Sequence, residues 1–220
     1  MNLSNKTSLK SPSNLDANAM WKIPYGMYLV TAQDGRRDNG CIVNTVSQVT
    51  ESPLQISIAI NKSNLTHDMI HTTRLLAISI LTESTPFSLF EHFGFVSGRD
   101  KDKFNKSNML DNAFTRTTGG LYRLLKYTNA VIVAKVVSSI DCGTHSIFIA
   151  EVILAEIINN EVSCSYEYYL TNIKPKPEQT QKGHVSYICK ICGYVYNGEN
   201  LPDDFICPWC KHGVADFEQQ

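Results

Sequence analysis

The sequence predicts a mainly β protein with a small metal-binding ribbon at its C-terminal end, on three observations. Between Gly26 and Tyr169, short Val- and Ile-rich runs repeat, separated by polar or Gly-containing turns, the signature of a β-barrel or a sandwich. Two C-x-x-C pairs with fourteen residues between them stand near the C-terminus. The stretch joining these regions, TNIKPKPEQTQKG, has two X-Pro steps and few apolar side chains, as an extended linker does.

Taken in order, residues 1–19 (MNLSNKTSLKSPSNLDANA) are polar and read as a disordered arm. They lack an apolar h-region and any Arg, so neither a signal nor a transit peptide is expected. The β runs are MYLVTA, CIVNTVSQV, LQISIAI, LLAISIL, AVIVAKVV and HSIFIAEVI. QDGRRDNG between the first two has hairpin-turn chemistry, with Gly35 and Gly40 able to take positive φ, so those strands are expected to pair. Two short helices are predicted: THDMIHTT with Thr66 as its N-cap, and TPFSLFEHFG with Pro86 at its first position and Gly94 as its stop. The domain reading is an arm over 1–19, a β domain over 20–170, a linker over 171–183 and a ribbon over 184–220.

Composition narrows the function. The 220 residues carry net charge −1 and are 43% apolar, enough for one ordinary core and a small satellite. The longest apolar runs fall short of the roughly 20 residues a bilayer requires, so no membrane span is expected. Of seven Cys, Cys41, Cys142 and Cys164 stand alone and read as small apolar side chains. Reduced thiols and a bound metal fit the cytoplasm better than secreted disulfides.

Cys189, Cys192, Cys207 and Cys210 can enclose one tetrahedral zinc or iron ion, which ligand count alone does not separate. Tyr187, Tyr194, Tyr196, Phe205, Trp209 and Phe217 surround them, an aromatic density suited to a core over a buried sulfur site. Lys190 and Lys211 face five carboxylates in this region, so a nucleic-acid partner is not expected.

YICKICGYVY, LPDDFICPWC and the closing DFE resemble a rubredoxin, which implies one iron on the four Cys. The pattern places Gly after the second Cys of each knuckle. Gly193 fits, whereas Lys211 departs.

The β domain has no G-x-G-x-x-G after a strand, so no Rossmann site is indicated. YGMYLVTAQDG, NGCIVNTVSQVTESPLQISIAINKSNLTHDMI, FEHFGFVSGRDKDKF and CGTHSIFIAEV resemble the flavin reductase-like FMN-binding split-barrel family. The resemblance implies a split β-barrel with FMN, with Asn44, Thr45, Val46 and Ser47 at the isoalloxazine ring. It places Asn61, Lys62, Ser63 and Thr66 at the phosphate, and Phe93, Gly98 and Lys103 near the flavin. Read without it, the same residues are strand-end and turn positions whose hydroxyls, amides and N–H groups can hold a phosphate. His145 matches the His of a Gly-Asp-His motif beside the nicotinamide of NAD(P)H, with Thr144 where Asp is usual. In that role His145 orients the ring, because hydride transfer asks for no acid or base at the carbon.

Barrel, linker and rubredoxin in this order are similar to the high-molecular-weight rubredoxins. The implied activity is electron transfer from NAD(P)H through FMN to iron, and on to a flavodiiron protein or another redox acceptor, by a homodimer. Two other readings stay open: a flavin reductase with a structural zinc ribbon, and a non-enzymatic flavin- and zinc-binding protein.

Overall fold

The computed structural model describes residues 16–105, 113–175, 186–190, 194–207 and 213–219. After a 3-10 turn at Ala17–Lys22, β1 (Tyr28–Gln33) and β2 (Asp38–Val43) form the expected hairpin, pairing Tyr28 with Val43 and Gln33 with Asp38. Asp34 closes the turn by accepting the N–H groups of Arg36 and Arg37 at 2.9 and 3.0 Å, and Gly35 supplies a φ of +83°. Gly40 does not take positive φ. It lies within β2 opposite Thr31, where a Cβ would come within 3.1 Å of the Phe93 ring.

The run CIVNTVSQV breaks at Asn44 and Thr45, and the chain resumes as β3 (Val46–Glu51), followed by β4 (Leu54–Asn61), α1 (Leu65–Thr73) and β5 (Leu75–Leu81). Next come α2 (Phe87–Phe90), continued by a π turn at Glu91–Phe95, and a small hairpin of β6 (Phe114–Arg116) and β7 (Tyr122–Leu124). The long strands β8 (Thr128–Asp141) and β9 (His145–Ile157) precede α3 (Tyr166–Tyr168), which runs into a π turn at Tyr169–Ile173. Three strands, β10 (Ser186–Cys189), β11 (Val195–Asn197) and β12 (Phe217–Gln219), make a separate sheet.

The large sheet is antiparallel, in the order β2-β1-β5-β8-β9-β4-β3. Its edges β2 and β3 are consecutive in the chain, and three Cα steps from Val43 to Val46 reach at most about 11 Å. The sheet must therefore roll up until its edges nearly meet. The result is a barrel with a seam at Asn44–Thr45.

Alternation along the strands fills the interior: Val30, Val43, Ile58, Ile60, Ile78, Val136 and Phe148 point inward, with Met69 and Ile70 of α1 closing one end. Each fully buried aliphatic side chain of this kind stabilises the fold by about 1.5–3 kcal/mol. A second core on the outer face of β1 and β5 gathers Leu29, Leu81, Phe90, Phe93, Phe104 and Tyr169. Among the described residues no helix is long and apolar enough to cross a membrane.

Four further local expectations are corrected. The α1 cap position is Asn64 rather than Thr66, which lies inside the helix on its buried face. Pro86 occupies the cap of α2 rather than its first turn, and Gly94 does not stop the helix, which widens through Phe95. Residues 171–173, expected in the linker, belong to the last helical turn, where Ile173 packs on the second core. Most of the expected arm, and the remainder of the linker from 176 to 183, lie outside the described residues.

Candidate functional site

Strand register builds the site. In the ladder β3-β4-β9, Val46 lies opposite Ile58, and Asn61 lies opposite His145. Thr45 extends the β3–β4 ladder at the seam's edge by donating its hydroxyl to the Ala59 carbonyl at 2.8 Å. The segments Asn44–Ser47 and Asn61–Ser63, far apart in sequence, therefore meet beside His145 at one end of the ladder. Asn44, Thr45 and Val46 are half-buried and Ser47 is exposed. Since β2 and β3 each pair on one side only, main-chain groups line the seam among the described residues.

The β4–α1 loop is braced from three directions. Asn61 accepts the Ser63 N–H through its side chain at 2.8 Å. The Lys62 N–H donates to the Thr144 carbonyl at 3.0 Å, and its ammonium meets Asp141 at 2.6 Å. That hydrogen bond, with the Gly143 N–H, holds the Asp141 carboxyl below its ordinary range. Arg99 donates Nε to the Ser63 carbonyl at 3.1 Å and pairs with Asp68 at 2.6 Å. Lys62 on this loop and Arg99 beside it thus set two cations, each paired with a carboxylate, against a stretch rich in small polar groups that could contact a phosphate. Arg99 was not singled out from the sequence, although it stands within GRDKDKF.

His145 is half-buried, and its Nδ1 lies 2.9 Å from the Thr144 hydroxyl. That contact fixes the ring's orientation at the tip of the β8–β9 hairpin. Behind Lys62 opens a polar cleft of about 420 Å³ that reaches His67, His71 and Ser146. His67 is held between Asp68 (Nδ1 at 3.0 Å) and Ser146 (Nε2 at 2.9 Å).

Four of the expected residues lie deeper, as supports. Thr66 is fully buried and its hydroxyl accepts from the Asn39 amide at 3.0 Å. Gly98 passes so close to this pair that a Cβ would sit 2.4 Å from the Asn39 amide atoms. Phe93 is 2% exposed, its ring packed among Phe104 and Phe114. Lys103 is 1% exposed and donates Nζ to the carbonyls of Gly40 (2.9 Å) and Phe93 (3.0 Å). Burial lowers its pKa to about 8, with the nearby Cys41 opposing the shift. The four tie β2, α1 and the segment after α2 into one frame beneath the loop.

An apolar pocket of about 170 Å³ flanks the seam on its other side, lined by Met27, Ile42, Asn44, Phe95, Tyr166 and Tyr169. The polar cleft and this pocket bracket the ladder's end, one suited to a charged group and the other to an aromatic ring.

In the small sheet, Cys189 and Cys207 are fully buried in one cluster with Tyr194 and Phe217 packed against them. The Cys189 N–H donates to the Tyr194 carbonyl at 2.8 Å, which shapes the first knuckle. Cys192, Gly193, Cys210 and Lys211 lie outside the described residues. Two buried thiols in one cluster, Cys189 at the end of β10 and Cys207 on the chain between β11 and β12, fit a metal-thiolate centre. Cys41 and Cys164 are buried and Cys142 is exposed, none of them near this pair.

Residues 20–175 match the family described as flavin reductase like domain, and residues 187–218 match the rubrerythrin, rubredoxin-like domain. A high molecular weight rubredoxin of Moorella thermoacetica is 36% identical, over 93% of this chain and 100% of that protein. A ferric-chelate reductase (NAD(P)H) of Archaeoglobus fulgidus is 34% identical, over 76% of this chain and 95% of that one. In fold, the barrel is similar to an FMN-binding protein from Thermus thermophilus solved with bound p-hydroxybenzaldehyde. The TM-score there is 0.57 and the identity 17%, over 76% of this chain and 86% of that one.

Proposed function

The chain belongs to the flavin reductase like domain family and carries a rubredoxin-like domain behind it. From that premise we propose that it is an NAD(P)H-dependent oxidoreductase that passes electrons through FMN to an iron held by Cys189, Cys192, Cys207 and Cys210. The observation that carries the reading is the ladder's end, where Asn44–Ser47, Asn61 and His145 converge in the same chain as the buried pair Cys189 and Cys207.

Bound FMN supplies a two-electron hydride acceptor able to release electrons singly, and four thiolates suit an iron that takes them one at a time. The residues provide everything else. Main-chain groups of Asn44, Thr45, Val46 and Ser47 read the polar edge of the flavin ring, and the apolar pocket beside Asn44 receives its hydrocarbon end. Asn61, Lys62, Ser63 and Arg99 hold the phosphate. Thr66, Gly98, Phe93 and Lys103 keep that loop and the seam in place from below. His145, pinned by Thr144, orients the nicotinamide for hydride transfer.

The acidic small domain, with Glu199, Asp203, Asp204 and Glu218 exposed, favours a redox acceptor with a basic surface, a flavodiiron protein among them, met in a weak and salt-sensitive encounter. A homodimer acting in the cytoplasm completes the proposal.

The test is an anaerobic stopped-flow titration of iron- and FMN-loaded protein with NADH and with NADPH. Bleaching of the ferric-thiolate bands together with or just after flavin reduction is the expected result. Flavin reduction with the iron left oxidised overturns the relay and promotes a flavin reductase with a structural ribbon.

A further inference from the structure

Phe95 touches both parts of the chain. It ends the π turn after α2, where its ring lies 6.1 Å from that of Phe87, and it lines the apolar pocket together with Asn44. It also packs against the cluster formed by the buried Cys189 and Cys207. A regular α-helix would aim this position elsewhere, because a π turn adds a residue and rotates the following side chains. Phe95 is half-buried, and at Gly94 before it an added Cβ would meet the Ile42 side chain at 3.6 Å, an ordinary contact, so the turn runs close over β2. One ring therefore separates the pocket at the seam from the sulfur side of the small domain.

We propose that Phe95 is the seat on which the barrel docks the small domain of its own chain, with the Cys189 and Cys207 face turned toward the Asn44 pocket. The value of this orientation for electron transfer rests on the reading that the pocket receives the flavin. The contact itself stands on the packing. A ring is a small contact area, so it supports a docking that forms and dissolves, while the covalent tether keeps the domain at high effective concentration. The docked state brings the thiolates to the seam, and the undocked state leaves the acidic domain free to meet an acceptor.

Two experiments on the full chain loaded with iron and FMN test the seat. In the first, Phe95→p-benzoylphenylalanine keeps an aromatic ring at the position. Irradiation of a mixture of 15N-labelled and unlabelled chains is followed by mass spectrometry of the cross-linked peptides. The expected product joins the 87–99 region to the 186–207 region with matching isotope labels. Mixed-label products between these regions, or cross-links confined to the barrel, overturn the proposal. In the second, Phe95→Ser should speed amide exchange at 186–190 and 194–207 and increase the radius of gyration, whereas Phe95→Leu stays close to wild type. The barrel's thermal transition serves as a check that Phe95→Ser still folds, and unchanged exchange with an unchanged radius in that folded variant overturns the seat. Failure of the seat and failure of the relay remain distinguishable. A matching-label cross-link without iron reduction keeps the docking and removes the relay, and iron reduction without the cross-link does the reverse.

Discussion

Asn61 of β4 and His145 of β9 stand directly opposite each other at the end of their ladder, although 83 positions separate them in the chain. Their neighbours reinforce the register, since the Lys62 N–H reaches the Thr144 carbonyl and Thr144 contacts the His145 ring. A ring held in this way suits positioning better than proton transfer. His145→Ala is accordingly expected to raise KM for NAD(P)H roughly tenfold, about 1.4 kcal/mol, with a much smaller effect on kcat. A loss confined to kcat in steady-state kinetics would contradict the positioning role.

Lys62 shares its charge with Asp141, so the two substitutions should act in opposite directions on flavin affinity. Lys62→Met is expected to weaken FMN binding about tenfold to a hundredfold, the range for a lost charge-assisted contact. Asp141→Asn, which removes the competing carboxylate, should tighten it. Fluorescence titration with FMN measures both, and equal affinities in wild type and Lys62→Met would remove Lys62 from the phosphate site.

Lys103 gives a pH signature. Its pKa is depressed to about 8 in the fold by burial, so between that pH and its ordinary value near 10.5 the unfolded chain binds more protons than the folded one. Stability therefore gains from this group as pH rises through that window, by roughly 3 kcal/mol if no other group compensates. Below pH 8 the cost of burying the charge is fully present. Lys103→Met should lose that pH-dependent component while leaving the Gly40 and Phe93 carbonyls without their donor. Parallel pH–stability curves for the two proteins, from denaturant titrations between pH 7.5 and 10.5, would contradict the assignment.

Gly98→Ala places a methyl group onto the Asn39 amide, which is buried and already bonded to Thr66. The amide must move and its hydrogen bond to α1 is strained, so a loss of about 1–3 kcal/mol is expected. Calorimetry measures it, and a melting temperature equal to wild type would show that the segment can shift without cost.

Cys207→Ser removes one of the two buried thiols of the small domain. The ferric-thiolate absorption should disappear and the small domain should lose its folding transition, because a metal-thiolate centre contributes to the stability of so small a sheet. The barrel has its own cores and should melt as before. Retention of the iron spectrum would show that Cys207 is not a ligand.

The strands were legible in the sequence because their Val- and Ile-rich runs alternate with turn residues, and the structure keeps each run as strand except CIVNTVSQV, which it splits. The break inside CIVNTVSQV was not, since nothing in its composition separates a continuous strand from two that lie on opposite edges of a rolled sheet. β6 and β7 were missed because FTR and YRL are too short and too polar to form a run. The candidate site residues were chosen as sequence blocks, but which of them face the seam depends on register and packing. Thr66, Phe93 and Lys103 therefore looked equivalent to Lys62 and Ser63 until burial separated them. Phe95 gave no signal of its contact with Cys189 and Cys207, because that contact depends on how distant segments pack.

With the flavin held at the Asn44–Thr45 seam as proposed, the vocabulary of recognition there is largely peptide rather than side chain. Fixed amide dipoles at such a slot can match the donors and acceptors of a planar heterocycle whatever methyl or hydroxyl groups project from the chain, as Val46 among polar neighbours illustrates. Alanine scanning along this stretch would then understate its importance. Inserting one residue between Asn44 and Thr45, which changes no side chain, would shift the opposing edges out of alignment and should do more damage than any single replacement there.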